Sequence, residues 1–165
     1  MGIRYYAYAF DGNLTDQALV DDPLADAWGF EHGATISTPT FEQPVPSRDM
    51  LYLDKAWRHL QCLTAPAEPH LIARHAHRMF EGAVVMNDMG WEPWVRTLTP
   101  PEVLAVAGDL GNVSDEDVEL RLRESHFFGR EFDGELDFVV SHLRKARTFT
   151  ANLAAEERGL VYMIG

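Results

Sequence analysis

The sequence predicts an α+β fold (mixed α/β), with a small mixed β-sheet covered by helices. Three observations predict it. Residues 3–10, Ile-Arg-Tyr-Tyr-Ala-Tyr-Ala-Phe, alternate large aromatic with small side chains, the period of a strand. Residues 135–158 carry Leu136, Val139, Val140, Leu143, Ala146, Phe149, Thr150 and Leu153 at helical spacing, one unbroken apolar stripe. Leu160-Val-Tyr-Met-Ile164, released by Gly159, reads as a buried strand. Strands near both ends of the chain predict that the two ends pair within one sheet, with a third contribution from roughly residues 83–98.

The intervening elements follow in order. Asp11-Gly12-Asn13 is turn chemistry. Thr15 caps a short helix over 16–21, with Leu19 and Val20 inward, and Pro23 opens another carrying Leu24, Ala27 and Trp28. Residues 31–47 hold Gly33, Pro39, Pro44 and Pro46, which predicts a long loop and a candidate lid or partner-binding segment. Leu51, Tyr52 and Leu53 favour an extended approach to a helix over 55–63. Asp54 is its N-cap, Leu53 its staple, and Trp57, Leu60 and Leu63 its buried stripe. Pro66 and Pro69 end it. The spacing of Leu71, Ile72, His75, Ala76, Met79 and Phe80 predicts a helix over 69–81, broken by Gly82. Ala83 to Met86 reads as a strand or buried turn, and Asn87 to Gly90 as a turn. Thr99-Pro-Pro-Glu102 is a capping box for a helix that buries Val103, Leu104, Val106, Ala107 and Leu110 and stops at Gly111. Ser114 caps the next helix, where Asp115, Glu116 and Asp117 favour the positive end and Val118, Leu120 and Leu122 face inward. Phe127 to Phe132 reads as a connecting loop.

Composition bounds the function. A chain of 165 residues, 46% hydrophobic and 24% charged, has the length and core material of one domain over 1–165. No apolar run approaches the roughly 20 residues of a membrane span, and the start, Met1-Gly-Ile-Arg, lacks a secretion signal. Cys62 is the sole cysteine, so no internal disulfide forms, which suits a reducing cytoplasm; among apolar helix positions it reads as a small buried hydrophobe. The net charge of −12 argues against a nucleic-acid partner or an anionic membrane surface. The charge is also uneven. Between Arg4 and Arg48 lie Asp11, Asp16, Asp21, Asp22, Asp26, Glu31 and Glu42, and between Arg96 and Arg121 lie Glu102, Asp109, Asp115, Glu116, Asp117 and Glu119, in both cases without a Lys or Arg. Such regions can steer a basic protein partner, and plain solubility accounts for them as well.

Candidate chemistry is sparse. Asp54, Lys55 and His59 are the catalytic candidates, as a polar group beside Trp57 and Trp91, although a cap explains Asp54 fully and the other two read as solvated side chains. Trp57, Trp91 and Trp94 are the ligand-binding candidates, the last two as a stacking pair or as core plugs. His70, His75 and His77 raise a metal question. Ligands on one helix belong three or four residues apart, and these are five, two and seven apart, so no metal is expected. No phosphate-cradling glycine loop or nucleophile elbow is present, and no cofactor is expected.

The stretch Leu51-Tyr-Leu-Asp-Lys-Ala-Trp-Arg-His-Leu-Gln-Cys-Leu-Thr64 resembles the L-D-L-D-K-A-W-H-x-L-H-x-L-L-T signature of the YfbM-like family, a bacterial domain of unknown function. It departs at Tyr52, where the family usually has Asp. Val95 to Ala107 is similar to the family's Y-L-T-P-E-E-V helix start, and Met1-Gly-Ile and the C-terminal helix and strand fit as well. The resemblance spans nearly the whole chain, apart from residues 65–94. It implies one mixed α/β domain and no activity.

Two functions are expected on these grounds. The first is a non-catalytic cytoplasmic binding protein, in its specific form an immunity-type inhibitor of a basic partner. The second is an enzyme or small-ligand binder with a pocket beside the Leu53–Trp57 helix start, its small-molecule ligand unknown.

Overall fold

A computed structural model describes residues 2–27, 29–125 and 131–165. Its centre is a four-stranded sheet of β1 (Tyr5–Phe10), β5 (Met50–Tyr52), β8 (Trp94–Leu98) and β9 (Gly159–Ile164), in the order β5-β1-β9-β8. The predicted pairing of the chain's two ends is there, from Tyr5↔Ile164 to Phe10↔Gly159. The ladders are antiparallel, where a mixed sheet is expected. Alternation sorts the side chains onto two faces. Tyr5, Ala7, Ala9, Leu51, Leu98, Leu160 and Tyr162 point to the helices, and Tyr8, Phe10, Met50 and Val161 to the opposite side.

The helical layer holds α2 (Trp57–Thr64), α3 (Pro100–Gly111), α4 (Asp115–Glu124) and α5 (Phe132–Ala155). The predicted capping box of Thr99 with Glu102 forms, and the predicted cap Ser114 turns out to form a capping box too, with Asp117. The stripe of α5 is buried at Val139, Val140, Leu143, Ala146, Phe149, Thr150 and Leu153, with Leu136 partly buried. Two residues read as inward are exposed instead, Leu104 on α3 and Leu120 on α4. Gly159 does not end α5; Glu157, at φ 52°, already turns the chain. Gly159 is needed because a Cβ there would stand 2.2 Å from the Phe10 ring.

The opposite face is covered by a second sheet, and here expectation and structure part. The short helix α1 (Thr15–Val20) forms but buries Ala18 and exposes Leu19 and Val20. No helix follows Pro23; Leu24–Ala27 is strand β2, and the predicted role of Trp28 lies outside the described residues. Residues 31–47 are no lid. They form β3 (Ala34–Thr38) and β4 (Phe41–Val45), a hairpin that buries Ile36 and Val45 against the main sheet. Pro44, which cannot donate to a ladder, is tolerated because β4 is an edge strand.

Residues 69–81 are not a helix. Only His75–Met79 forms a 3-10 turn. The segment is held from outside. Tyr5 Oη donates to Met79 O at 2.9 Å, and Tyr162 Oη lies 3.0 and 2.8 Å from Arg78 O and Glu81 O. Gln61 Nε2 donates to Phe80 O at 2.6 Å and to Gly82 O at 2.9 Å. Asp109 accepts from Arg74 and, at 2.7 Å, from the Ala76 N–H. Polar partners from four elements replace the intrahelical bonds that the pattern predicted. A small exposed hairpin, β6 (Val85–Asn87) and β7 (Gly90–Glu92), then leads to β8. Most of the loop expected over 127–132 lies outside the described residues.

The Arg74 guanidinium, reinforced by the Ala76 N–H, holds the Asp109 carboxyl below its ordinary value despite partial burial. The folded value is therefore lower than the unfolded one of about 4. Its stabilisation is present above that value and disappears as pH falls through the folded one. Asp109→Ala is expected to cost about 1–3 kcal/mol at neutral pH, towards the low end because the Arg74 side chain is 37% exposed. Urea midpoints measured at neutral and acid pH should show the gap from the parent narrowing in acid. A gap that widens in acid would contradict the assignment.

Candidate functional site

The stretch around Trp57 was expected to begin with a capping aspartate. Asp54 instead adopts φ 47°, a left-handed conformation unusual for a residue other than glycine. Its carboxylate meets Arg4 Nε at 2.7 Å. The helix begins three residues later, with Ala56 at the cap position. Asp54 thus ties the N-terminal approach of β1 to the turn before α2 and does not face the pocket described next.

That pocket lies between α2, α4 and α5, with a volume of about 440 Å³. Trp57, Leu63, Val118, Leu122 and Val139 supply apolar wall. Lys55 and Arg58 stand at its edge, neither with a carboxylate at ion-pair distance among the described residues. Arg58 lies over the Trp57 ring at 5.6 Å. The Trp57 indole N–H is buried with no acceptor among the described residues. His59 Nε2 is 2.9 Å from Glu135 Oε1, and both side chains are largely withdrawn from solvent, at 18% and 6% exposed. Glu135 sits in the first turn of α5, where its charge complements the helix dipole. The arrangement fixes an imidazole by a carboxylate at the wall of an apolar cavity. Chemically it can orient a polar ligand atom or hold a proton.

The remaining candidates scatter. Cys62 lines the same pocket but is exposed, not buried, because it falls on the outer side of α2. Trp91 does not reach this pocket; it sits half-exposed on the β6–β7 hairpin. Trp94 packs over Gly82, where a Cβ would stand 2.4 Å from the indole. His70 is exposed beside Glu68 at 3.4 Å, His75 is exposed, and His77 Nδ1 meets Thr64 Oγ1 at 3.1 Å. Among the described residues, no three His, Cys, Asp or Glu gather as a metal site. Glu135 was not singled out from the sequence: it lies 76 residues from His59, and only its place in a helix start was legible.

The two acidic regions also differ once folded. In the second, Glu102 pairs with Arg78, Asp109 with Arg74, Asp115 with Arg144 and Arg147, and Glu119 with Arg123. In the first, Asp11 pairs with Arg158 and Asp22 accepts from Thr97, but Asp16, Asp21, Asp26, Glu31 and Glu42 meet no cation among the described residues. The register of the second sheet sets Leu24, Ser37 and Glu42 in one row and Asp26, Thr35 and Pro44 in the next. Glu42, Asp26 and Leu24 are exposed there, and on α1 Leu19 and Val20 are exposed too, at 55% and 73%.

Removing the imidazole by His59→Ala leaves the Glu135 carboxylate without that bond in a buried place. The expected cost is roughly 1.5–3 kcal/mol in chemical denaturation, the range for hydrogen bonds to charged groups. A change within about 0.5 kcal/mol, typical of open surface positions, would show that the pair is solvated in solution.

No family model matches the chain, and no curated protein does. Among solved structures, the crystal structure of YfbM from Escherichia coli, a protein of unknown function, is similar over 98% of each chain, with a TM-score of 0.56 and 13% sequence identity. At that identity the likeness is one of architecture, and the chain has a YfbM-like fold.

Proposed function

We propose that this protein is a non-catalytic binding protein whose N-terminal face, built on α1 and the β2–β3–β4 sheet, docks a basic protein partner. An immunity-type inhibitor of a basic toxin is its specific form. The observation that carries the reading is the contrast between the two acidic regions. One has four of its six acids, Glu102, Asp109, Asp115 and Glu119, in internal ion pairs, while in the other Asp16, Asp21, Asp26, Glu31 and Glu42 meet no cation among the described residues. Exposed Leu19, Val20 and Leu24 lie among these acids in the sequence, so the segment offers apolar side chains beside uncompensated charge, the ingredients of a steered interface. The partner implied carries Lys and Arg around an apolar centre.

The test immobilises the full chain and compares capture of basic proteins from the source cell before and after neutralisation of the face. The combined variant Asp16→Asn, Asp21→Asn and Asp26→Asn should slow association and abolish its salt dependence. Glu119→Gln with Glu124→Gln, on the neutralised side, should change neither. Binding that is indifferent to the first variant and to salt would refute the reading.

A second reading rests on the cavity beside Trp57. Its apolar wall, the free cations Lys55 and Arg58 and the His59–Glu135 pair suit a small organic acid. Trp57 lies in that wall, so ligand screening by tryptophan fluorescence should find a quenching carboxylate whose affinity falls about tenfold in Arg58→Gln. Quenching that persists at full affinity in that variant would remove this reading.

A further inference from the structure

Cations are scarce in this chain, 14 against 26 acids, so a base without an acidic partner is informative. Among the described residues, Lys55, Arg58 and Lys145 have no carboxylate at ion-pair distance, and Arg48 has one only at 3.9 Å while being 85% exposed. Lys55 and Arg58 edge the pocket beside Trp57. Arg48 and Lys145 both line a different and larger feature.

That feature is a groove of about 1020 Å³ between the edge strand β5 and α5. Its floor is apolar, with Leu51, Phe149 and Leu153 all buried. One end carries an aromatic cluster, in which Phe30 and Tyr52 have ring centroids 4.9 Å apart and Tyr6 stands 5.2 Å from Tyr52. Arg48 comes from the turn before β5 and Lys145 from α5. The groove's acids, Asp49 and Glu156, are already engaged: Arg158 contacts them at 3.2 and 3.3 Å and is itself only 13% exposed. Arg144 is likewise held by Asp115. The groove therefore offers free positive charge over an apolar, aromatic floor, on a molecule whose overall field is negative.

The backbone decides between a peptide and a small molecule. Leu53 N donates to Tyr5 O at 3.3 Å, so alternation turns the N–H and C=O of Tyr52 outward, to the open side of β5. The Met50 N–H, which would continue an added ladder, is taken by Ser47 O. One residue's backbone is too little to pair a strand, whereas it can anchor one polar group of a compact ligand.

We infer that the groove between β5 and α5 binds a flat organic anion. Its acidic group meets Arg48 and Lys145, and its rings lie against the Tyr52–Phe30 pair at the edge of β5. The site is distinct from both the acidic N-terminal face and the pocket beside Trp57, so its failure would leave those readings standing.

The probe is anilinonaphthalene sulfonate, an aromatic anion, titrated by fluorescence against the folded full chain, beside its uncharged relative phenylnaphthylamine. The expected result is saturable binding of the sulfonate at one site, weakened by added salt, with the uncharged compound at least about tenfold weaker. The pair Arg48→Glu and Lys145→Glu should weaken the sulfonate by about a hundredfold, and Arg48→Gln with Lys145→Gln by about tenfold. Both positions are exposed, and circular dichroism confirms that the variants fold. Lys55→Gln with Arg58→Gln should leave the affinity within about twofold. Equal affinity for the charged and uncharged compounds, retention of binding in both variants at 48 and 145, or its loss in the 55 and 58 variant would each overturn the assignment.

Discussion

Two tyrosine hydroxyls hold this architecture together. Tyr5 on β1 and Tyr162 on β9 stack at 5.4 Å and point into the helical layer, where both bond to main-chain carbonyls of residues 78–81. Burial pushes the Tyr162 hydroxyl up to about 12 and that of Tyr5 well above its ordinary value, so each stays protonated and can donate. A segment without regular structure thereby becomes a fixed wall, and Met79 and Phe80 can enter the core beside it. Without the Tyr5 donor, the buried Met79 carbonyl would lose its partner, at a cost of roughly 1–3 kcal/mol.

That dependence explains what was legible in the sequence. Elements whose stabilising partners are close in the chain were readable: the capping box at Thr99, the cap at Ser114, the stripe of α5, and the alternation of β1. Elements whose partners are distant were not. Residues 69–81 have helical apolar spacing, but their polar groups are claimed by Tyr5, Gln61, Asp109 and Tyr162. Asp54 has the composition of a cap and the partner of a tether, since Arg4 lies 50 positions earlier in the numbering. The hairpin over 34–45 was hidden by its prolines, which an edge strand accepts.

The same logic governs the sites. His59 and Trp57 were visible as candidates because they share a short helix; Glu135, which completes the wall, was not, because it arrives from α5. The acidic regions were countable from sequence, but their difference was not. Arg74, Arg78 and Arg144 are all remote in the chain from the acids they neutralise, so only the fold shows which field survives. Surface charge is thus a property of the tertiary structure even where its ingredients are plain in the composition.

The position of β9 has a consequence for how the molecule is made. The strand lies inside the sheet, between β1 and β8, yet it is the last element of the chain. During synthesis, the helices can assemble on local contacts while β1 and β8 wait without their common neighbour. Closing the sheet joins residues about as far apart in sequence as this chain allows, a slow step by topology. Until that step the apolar faces of two strands stand open. A chain in which Gly159–Ile164 has not yet joined the sheet is therefore the form most exposed to aggregation.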